Sequence, residues 1–369
     1  MCAWLSSRPI RGLAALALGW LGFSGLALAE CAGVNLTSQM MPAELALVQA
    51  KADAVPFPEG NFWTATRDGQ QVTLVGTYHL DDPRHEAILK ALGPKLAGAG
   101  VLLVEAGPKE EAALLKAMED DPSLMFITEG PTLIERLPRD TWRRLSQALE
   151  VRGIPVFMAS KLQPWYATVV LAIPPCHIEA GEGQPDAPQG LDGQLIRRAE
   201  AIGLPVGALE SHEAIFRIFD ALSDEQSLAM IESTLAMEGQ SEDFAVTLSD
   251  LYFAGESRLI WELNRFFAYK QPGYSREQVD QEMAVMEELM MVRRNRAWIP
   301  VIERFAAGEK PVIAAFGALH LSGEAGVLNL LQQAGWEITA FTPLAEAGIP
   351  AEVPDSLPAQ KAPVEELIP

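Results

Sequence analysis

The chain has 369 residues, 49% of them apolar, enough to bury one large domain or two smaller ones. With 28 Lys and Arg against 49 Asp and Glu, its formal net charge is −21. That field argues against nucleic acid or an anionic membrane as a partner and leaves cationic ligands and metal ions open.

Residues 1–29 read as a signal peptide. Arg8 and Arg11 precede an apolar run from Leu13 to Leu28, and Ala27-Leu28-Ala29 offers a small-x-small exit. An uncleaved anchor is the other reading of the same residues. The mature chain is then exported, periplasmic or secreted, and no later stretch reaches the roughly 18 apolar residues of a transmembrane span. Cys2 leaves with the leader, so Cys31 and Cys176 remain. In an oxidising compartment two cysteines suggest one bridge, and two unpaired thiols are the alternative.

Residues 62–66 and 72–76 form a predicted hairpin around Asp68-Gly69. A helix follows over 84–96, then a short, continuously apolar strand over 101–104, a pattern that fits a strand covered on both faces. Helices are expected over 109–119, 141–151 and 162–173, the last ending at Pro174-Pro175. Residues 174–190 read as a loop. Leu191, Leu195, Ala199 and Ile202 then recur at helical spacing up to Gly203, and a strand follows over 205–209. Residues 212–307 are almost all helical. Strand 311–316, helix 323–334 and strand 336–341 complete the pattern. The tail 343–369 holds six prolines and several acids and is expected to be disordered. The fold class is therefore α/β: a mostly parallel central sheet flanked by helices, in one domain over 30–342, with a mainly helical insertion over 212–307.

Each apolar strand runs into a histidine or a carboxylate: His79, Glu105, Glu210 and His320. In open parallel sheets the carboxyl ends of the strands line the ligand crevice, so these side chains could converge. The first and last share a Gly-x-x-His pattern, Gly76-Thr77-Tyr78-His79 and Gly317-Ala318-Leu319-His320, in a chain with five histidines. The glycine is read as permitting a tight exit from the strand. Two imidazoles and a carboxylate suit a divalent transition metal such as Mn, Co or Zn with open positions, and a remaining carboxylate, Glu105 or Glu210, could act as general base. The plainer readings are hydrogen-bonded histidines without metal, and Glu105 or Glu210 capping the helix that follows. Asp192 is either an N-cap or a substrate-binding group.

Arg294 keeps helical spacing with Met283, Met286, Met290, Ala297 and Val301, and an arginine on an apolar stripe needs an anion. That anion could be Glu105, Asp192, Glu210 or a substrate carboxylate. Otherwise Arg294 snorkels to the surface beside Arg293 and Arg296. His85-Glu86 and His212-Glu213 each open like a zincin helix, but Leu89 and Phe216 stand where the second histidine belongs. A nucleophile elbow, a phosphate loop and a Cys-x-x-Cys pair are all missing.

At these residues the chain resembles the TraB/GumN family, which is related to the Tiki proteins. The segments that carry the resemblance are Val75-Gly76-Thr77-Tyr78-His79, Leu103-Val104-Glu105, Gly190-Leu191-Asp192-Gly193-Gln194-Leu195, Leu209-Glu210, Arg294-Asn295-Arg296-Ala297-Trp298 and Gly317-Ala318-Leu319-His320-Leu321. The resemblance runs from about Ala32 to Thr342. It implies a fold like the erythromycin-esterase and haem-uptake ChaN group, with a metal-dependent, peptidase-like hydrolase site. The resemblance gives that role to His79, Glu105 and His320 and lets Arg294 and Asn295 complete the pocket. With the reading of the residues above, His79 and His320 are expected to hold the metal, Glu105, Glu210 and Arg294 to act catalytically, and Asp192 and Asn295 to bind substrate. A peptide or small molecule is the expected ligand. The rival expectation is a non-catalytic protein that sequesters such a ligand in the same crevice.

Overall fold

A computed structural model describes residues 31–179, 190–271 and 273–346. The expected leader lies outside the described residues, as does most of the acidic tail.

One six-stranded sheet organises the chain. Its strands are β1 (Phe62–Arg67), β2 (Gln70–Thr77), β3 (Val101–Val104), β4 (Val206–Ala208), β5 (Val312–Gly317) and β6 (Glu337–Ala340), in the order β4-β3-β5-β2-β1-β6. The four strands from β4 to β2 are parallel, and β1 runs antiparallel between β2 and β6. The hairpin turns at Asp68 (φ 51°) and Gly69 (φ 81°), the two left-handed positions of a type I′ turn. β2, β3 and β5 are buried almost end to end because helices cover both faces. One face packs on Trp298, Ile302, Leu328 and Leu331, and the other on Leu89, Leu92, Leu195 and Ala199.

A third core stands apart from the sheet. Helices between Leu133 and Leu171 bury Leu145, Leu149 and Leu162 against Ile231 and Leu235 of helix Asp224–Met237. The helical stretch after 212 therefore serves three cores. Its first part completes this satellite, its middle packs Leu251, Leu259 and Leu263 on helix Pro42–Asp53, and its end covers the sheet.

Three expectations need correction. The loop expected over 174–190 begins with a short helix, Pro175–Glu179, and residues 180–189 lie outside the described residues. The tail does not start as a coil, since Pro343–Glu346 is helical and Glu346 pairs with Lys95 at 3.2 Å. The helix expected over 323–334 spans only Val327–Gln333, preceded by a turn with Gly323 at φ 102°. Cys31 and Cys176 form a disulfide across 145 residues of sequence. His177 lies close to both sulfurs, but they are bonded to each other, so no thiolate is left to hold an ion. Among the described residues no helix is long and apolar enough to cross a membrane.

His85 opens helix His85–Gly98 and is completely buried among the rings of Tyr78, Tyr252 and Phe253. Its Nε2 has no hydrogen-bond partner. Burial pushes its pKa down to about 4. The unfolded chain binds this proton near the ordinary pKa of about 6.5, so its contribution to stability is complete above that pH and is lost as the pH falls toward 4. In that window it changes stability by at most about 1.4 kcal/mol per pH unit. Urea unfolding of wild type and His85→Phe at pH 7, 6 and 5 should show a shallower pH slope for the variant. Parallel slopes would refute the assignment.

Candidate active site

All four parallel strands end at the same edge of the sheet, and there the backbone hands over to side chains. Thr77 of β2 pairs in register with Gly317 of β5, so the two Gly-x-x-His segments leave the sheet side by side. Their glycines have ordinary negative φ and do not serve as tight turns, contrary to the expectation. They allow the two segments to interlock. A Cβ on Gly76 would stand 2.6 Å from Leu321 and 3.0 Å from Ala318, just inside or beside the second motif. A Cβ on Gly317 would stand 3.1 Å from His79 Nε2 of the first motif, 3.3 Å from Glu105 Oε1 and 3.7 Å from His320 Cδ2. His79, Glu105 and His320 thus surround one point above Gly317.

Each histidine is held at Nδ1 by a side-chain oxygen. His79 Nδ1 lies 3.2 Å from Asp192 Oδ1. Asp192 is the second residue of helix Leu191–Ala201, whose N-cap is Gly190, so the cap reading is replaced by an ion pair with His79. The helix is docked there by Leu191 N–H on Tyr78 O at 2.9 Å. Burial disfavours charge on His79, but the hydrogen bond and charge of Asp192, and then the charge of Glu105, outweigh it and raise its pKa to about 9. Its side chain is 60% exposed, so water screens part of this effect.

His320 is the closed counterpart, its side chain 5% exposed. Its Nδ1 lies 2.6 Å from Asn295 Oδ1. The Asn295 amide nitrogen donates to His320 O and Ala325 O, which turns the amide oxygen toward the ring and places the imidazole proton on Nδ1. Asn295 is 1% exposed and fully engaged, so it positions His320 and does not bind substrate as the sequence suggested. Burial pushes the His320 pKa down to about 3, and the neutral ring presents its Nε2 lone pair.

Arg294 joins the strands together. It donates from Nε to Glu210 Oε2 at 3.0 Å and from Nη2 to Glu210 Oε1 and Glu105 Oε2, both at 2.5 Å. Nη1 donates to Met290 O and to His320 Nε2, both at 3.2 Å. It neither snorkels to the surface nor reaches Asp192. The stripe from which it was read is also altered. Helix Arg276–Glu287 continues through a π-helical turn, Glu288–Val292, into helix Arg293–Ala306, whose buried face is Asn295, Trp298, Ile302 and Ala306. The wide turn resets the register, so Ala297 is exposed.

Glu105 caps no helix. Gly107 caps the next one, with Glu110 reaching back. Burial would raise the pKa of Glu105, but His320, Arg294 and His79 and the Gly317 N–H at 2.7 Å hold it down to about 2. Glu210 accepts from Arg294 twice and from Trp298 Nε1 at 3.1 Å, which makes it an anchor for the guanidinium and a poor general base.

Trp298 had no role in the sequence reading. Besides holding Glu210, its fully buried ring lies 4.4 Å from that of His320 and 4.9 Å from the guanidinium of Arg294. Its spacing of four from Arg294 and three from Asn295 on one helix was the available signal. The ligand atoms of His79, Glu105 and His320 are not all drawn within 4.8 Å of one another, and His320 Nε2 stands 3.9 Å from Glu105 Oε1.

The sequence model of the TraB/PrgY/gumN family matches residues 61–340, from the residue before β1 to the end of β6, and so includes every side chain of this crevice. No curated protein matches the chain.

Proposed function

The chain belongs to the TraB/PrgY/gumN family, and on that premise we propose that it is a metal-dependent hydrolase of peptide or amide bonds in the cell envelope. The observation that carries this reading is the convergence of His79 Nε2, Glu105 Oε1 and the His320 ring on one point above Gly317. The donor set fits a divalent ion such as Mn, Co or Zn. Both imidazoles are fixed through Nδ1, by Asp192 and by Asn295, and so turn Nε2 toward the site, where His79 would give up its proton to an incoming ion, with an ionised carboxylate between them. Ligating histidines are ordinarily oriented in this way. His79, His320 and Glu105 would hold the ion. When bound, it would polarise a carbonyl and lower the pKa of a coordinated water toward neutrality.

The protein's own groups set the rest. Substrate approaches from the side of His79, since its side chain is 60% exposed and that of His320 only 5%. Asp192 keeps the exposed imidazole from rotating away, and Asn295 does the same for the buried one. The disulfide is compatible with a site outside the cytoplasm.

Hydrolysis of a peptide library by metal-loaded protein, compared with His79→Ala and His320→Ala, tests the reading. Each variant should lose at least about 100-fold in rate, the scale expected when such a group is removed. Equal rates in all three proteins would remove it. A protein that binds peptide but no metal would be the sequestering alternative.

A further inference from the structure

A guanidinium has five N–H donors, and in this crevice every donor of Arg294 has an acceptor. Three point at Glu210 and Met290 O, and the other two point at Glu105 Oε2 and His320 Nε2. Those last two acceptors belong to residues that would have to ligate an ion. We infer that Arg294 competes with the metal: it occupies His320 Nε2 while the site is metal-free and releases that atom when an ion binds, whereas Glu105, which it holds by Oε2, already turns Oε1 toward the site. This rests on the hydrolase reading above.

The surroundings are arranged for such an exchange. Glu210 grips Arg294 through both oxygens and is itself fixed by Trp298, so the guanidinium keeps an anchor after it leaves His320. His320 depends on Asn295 for its orientation and Glu105 on the Gly317 N–H, so both keep their places without Arg294. Met290 O lies in the π-helical turn, and Arg294 is the second residue of the helix that follows it. The Nη1 N–H set free would then face a crevice open at His79, where an anionic group of a ligand could take it up.

The test is calorimetric titration of the full chain, freed of metal by chelator, with Zn2+, Co2+ and Mn2+ in turn. Wild type is compared with Arg294→Lys, which keeps the charge but loses the fork that reaches both residues. The variant should bind the preferred ion at least about tenfold more tightly, because a charge-assisted hydrogen bond no longer has to break first. As a second measurement, 15N spectra of arginine side chains should show faster Nη rotation at Arg294 in the zinc-loaded wild type, its signal being identified by its absence from the variant. Equal or weaker binding by Arg294→Lys, with binding abolished in His320→Ala, overturns the exchange and leaves the hydrolase standing. Absence of binding by wild type and variant alike overturns both.

Discussion

Arg294→Ala is expected to destabilise the folded protein by about 3–5 kcal/mol, the cost of leaving buried charge without its partner. The side chains concerned are 13% exposed for Arg294, 19% for Glu105 and 15% for Glu210, so water does little to replace the lost cation. Two carboxylates would then face each other across the gap, and one of them would take up a proton. That gives the deficit a pH signature. In the variant a folded-state carboxylate pKa lies above the unfolded value of about 4.3, so protonation favours the fold, and the difference from wild type narrows as the pH falls from 7 toward 5. Urea unfolding at both pH values measures it. A loss below about 1 kcal/mol at pH 7, or a deficit that does not change with pH, would mean that Glu105 and Glu210 do not depend on this arginine.

The sheet was legible because the buried strands β3 and β5 are short unbroken apolar runs, and the hairpin because Asp-Gly admits two left-handed residues. The strand-end residues were legible for the same reason: a polar side chain directly after such a run has only the crevice to enter. Their partners were harder to read. Asn295, Trp298 and Arg294 act through a helix whose register is shifted by a π-helical turn, and no periodic pattern announces an extra residue in a turn. Asp192 looked like a cap because a carboxylate at a helix start usually is one, and only the docking of Leu191 on Tyr78 aims it at His79. The helix Pro42–Asp53 went unread since its apolar residues do not keep to one face, Leu47 being 69% exposed. The glycines of the paired motifs were recognised, but their purpose was not, because close approach between distant segments leaves no mark within either segment.

Removing the disulfide should cost at least as much as removing Arg294, but through the other side of the equilibrium. A bridge closing 145 residues restricts the unfolded chain, and in the chain-entropy model it is worth about 5 kcal/mol. The folded state gives little reason for additional loss. On the N-terminal side Val34 N–H is held by Asp243 and Leu36 N–H by Thr247, each at 2.8 Å, so this segment stays fastened to helix Ser241–Ala254 without the bridge. The double variant Cys31→Ser/Cys176→Ser should therefore unfold at a markedly lower urea concentration. It should also show a steeper dependence on urea, because its unfolded chain exposes more surface. Asp192 is placed on His79 by Leu191 and Tyr78, and not by the cysteines, so binding of Zn2+ measured well below the unfolding midpoint should match wild type. A variant that unfolds at the wild-type midpoint would show that the bridge does not form in solution. One that unfolds early, as expected, and also loses the ion would show that the bridge, rather than the docking of helix Leu191–Ala201, sets the position of the exposed histidine.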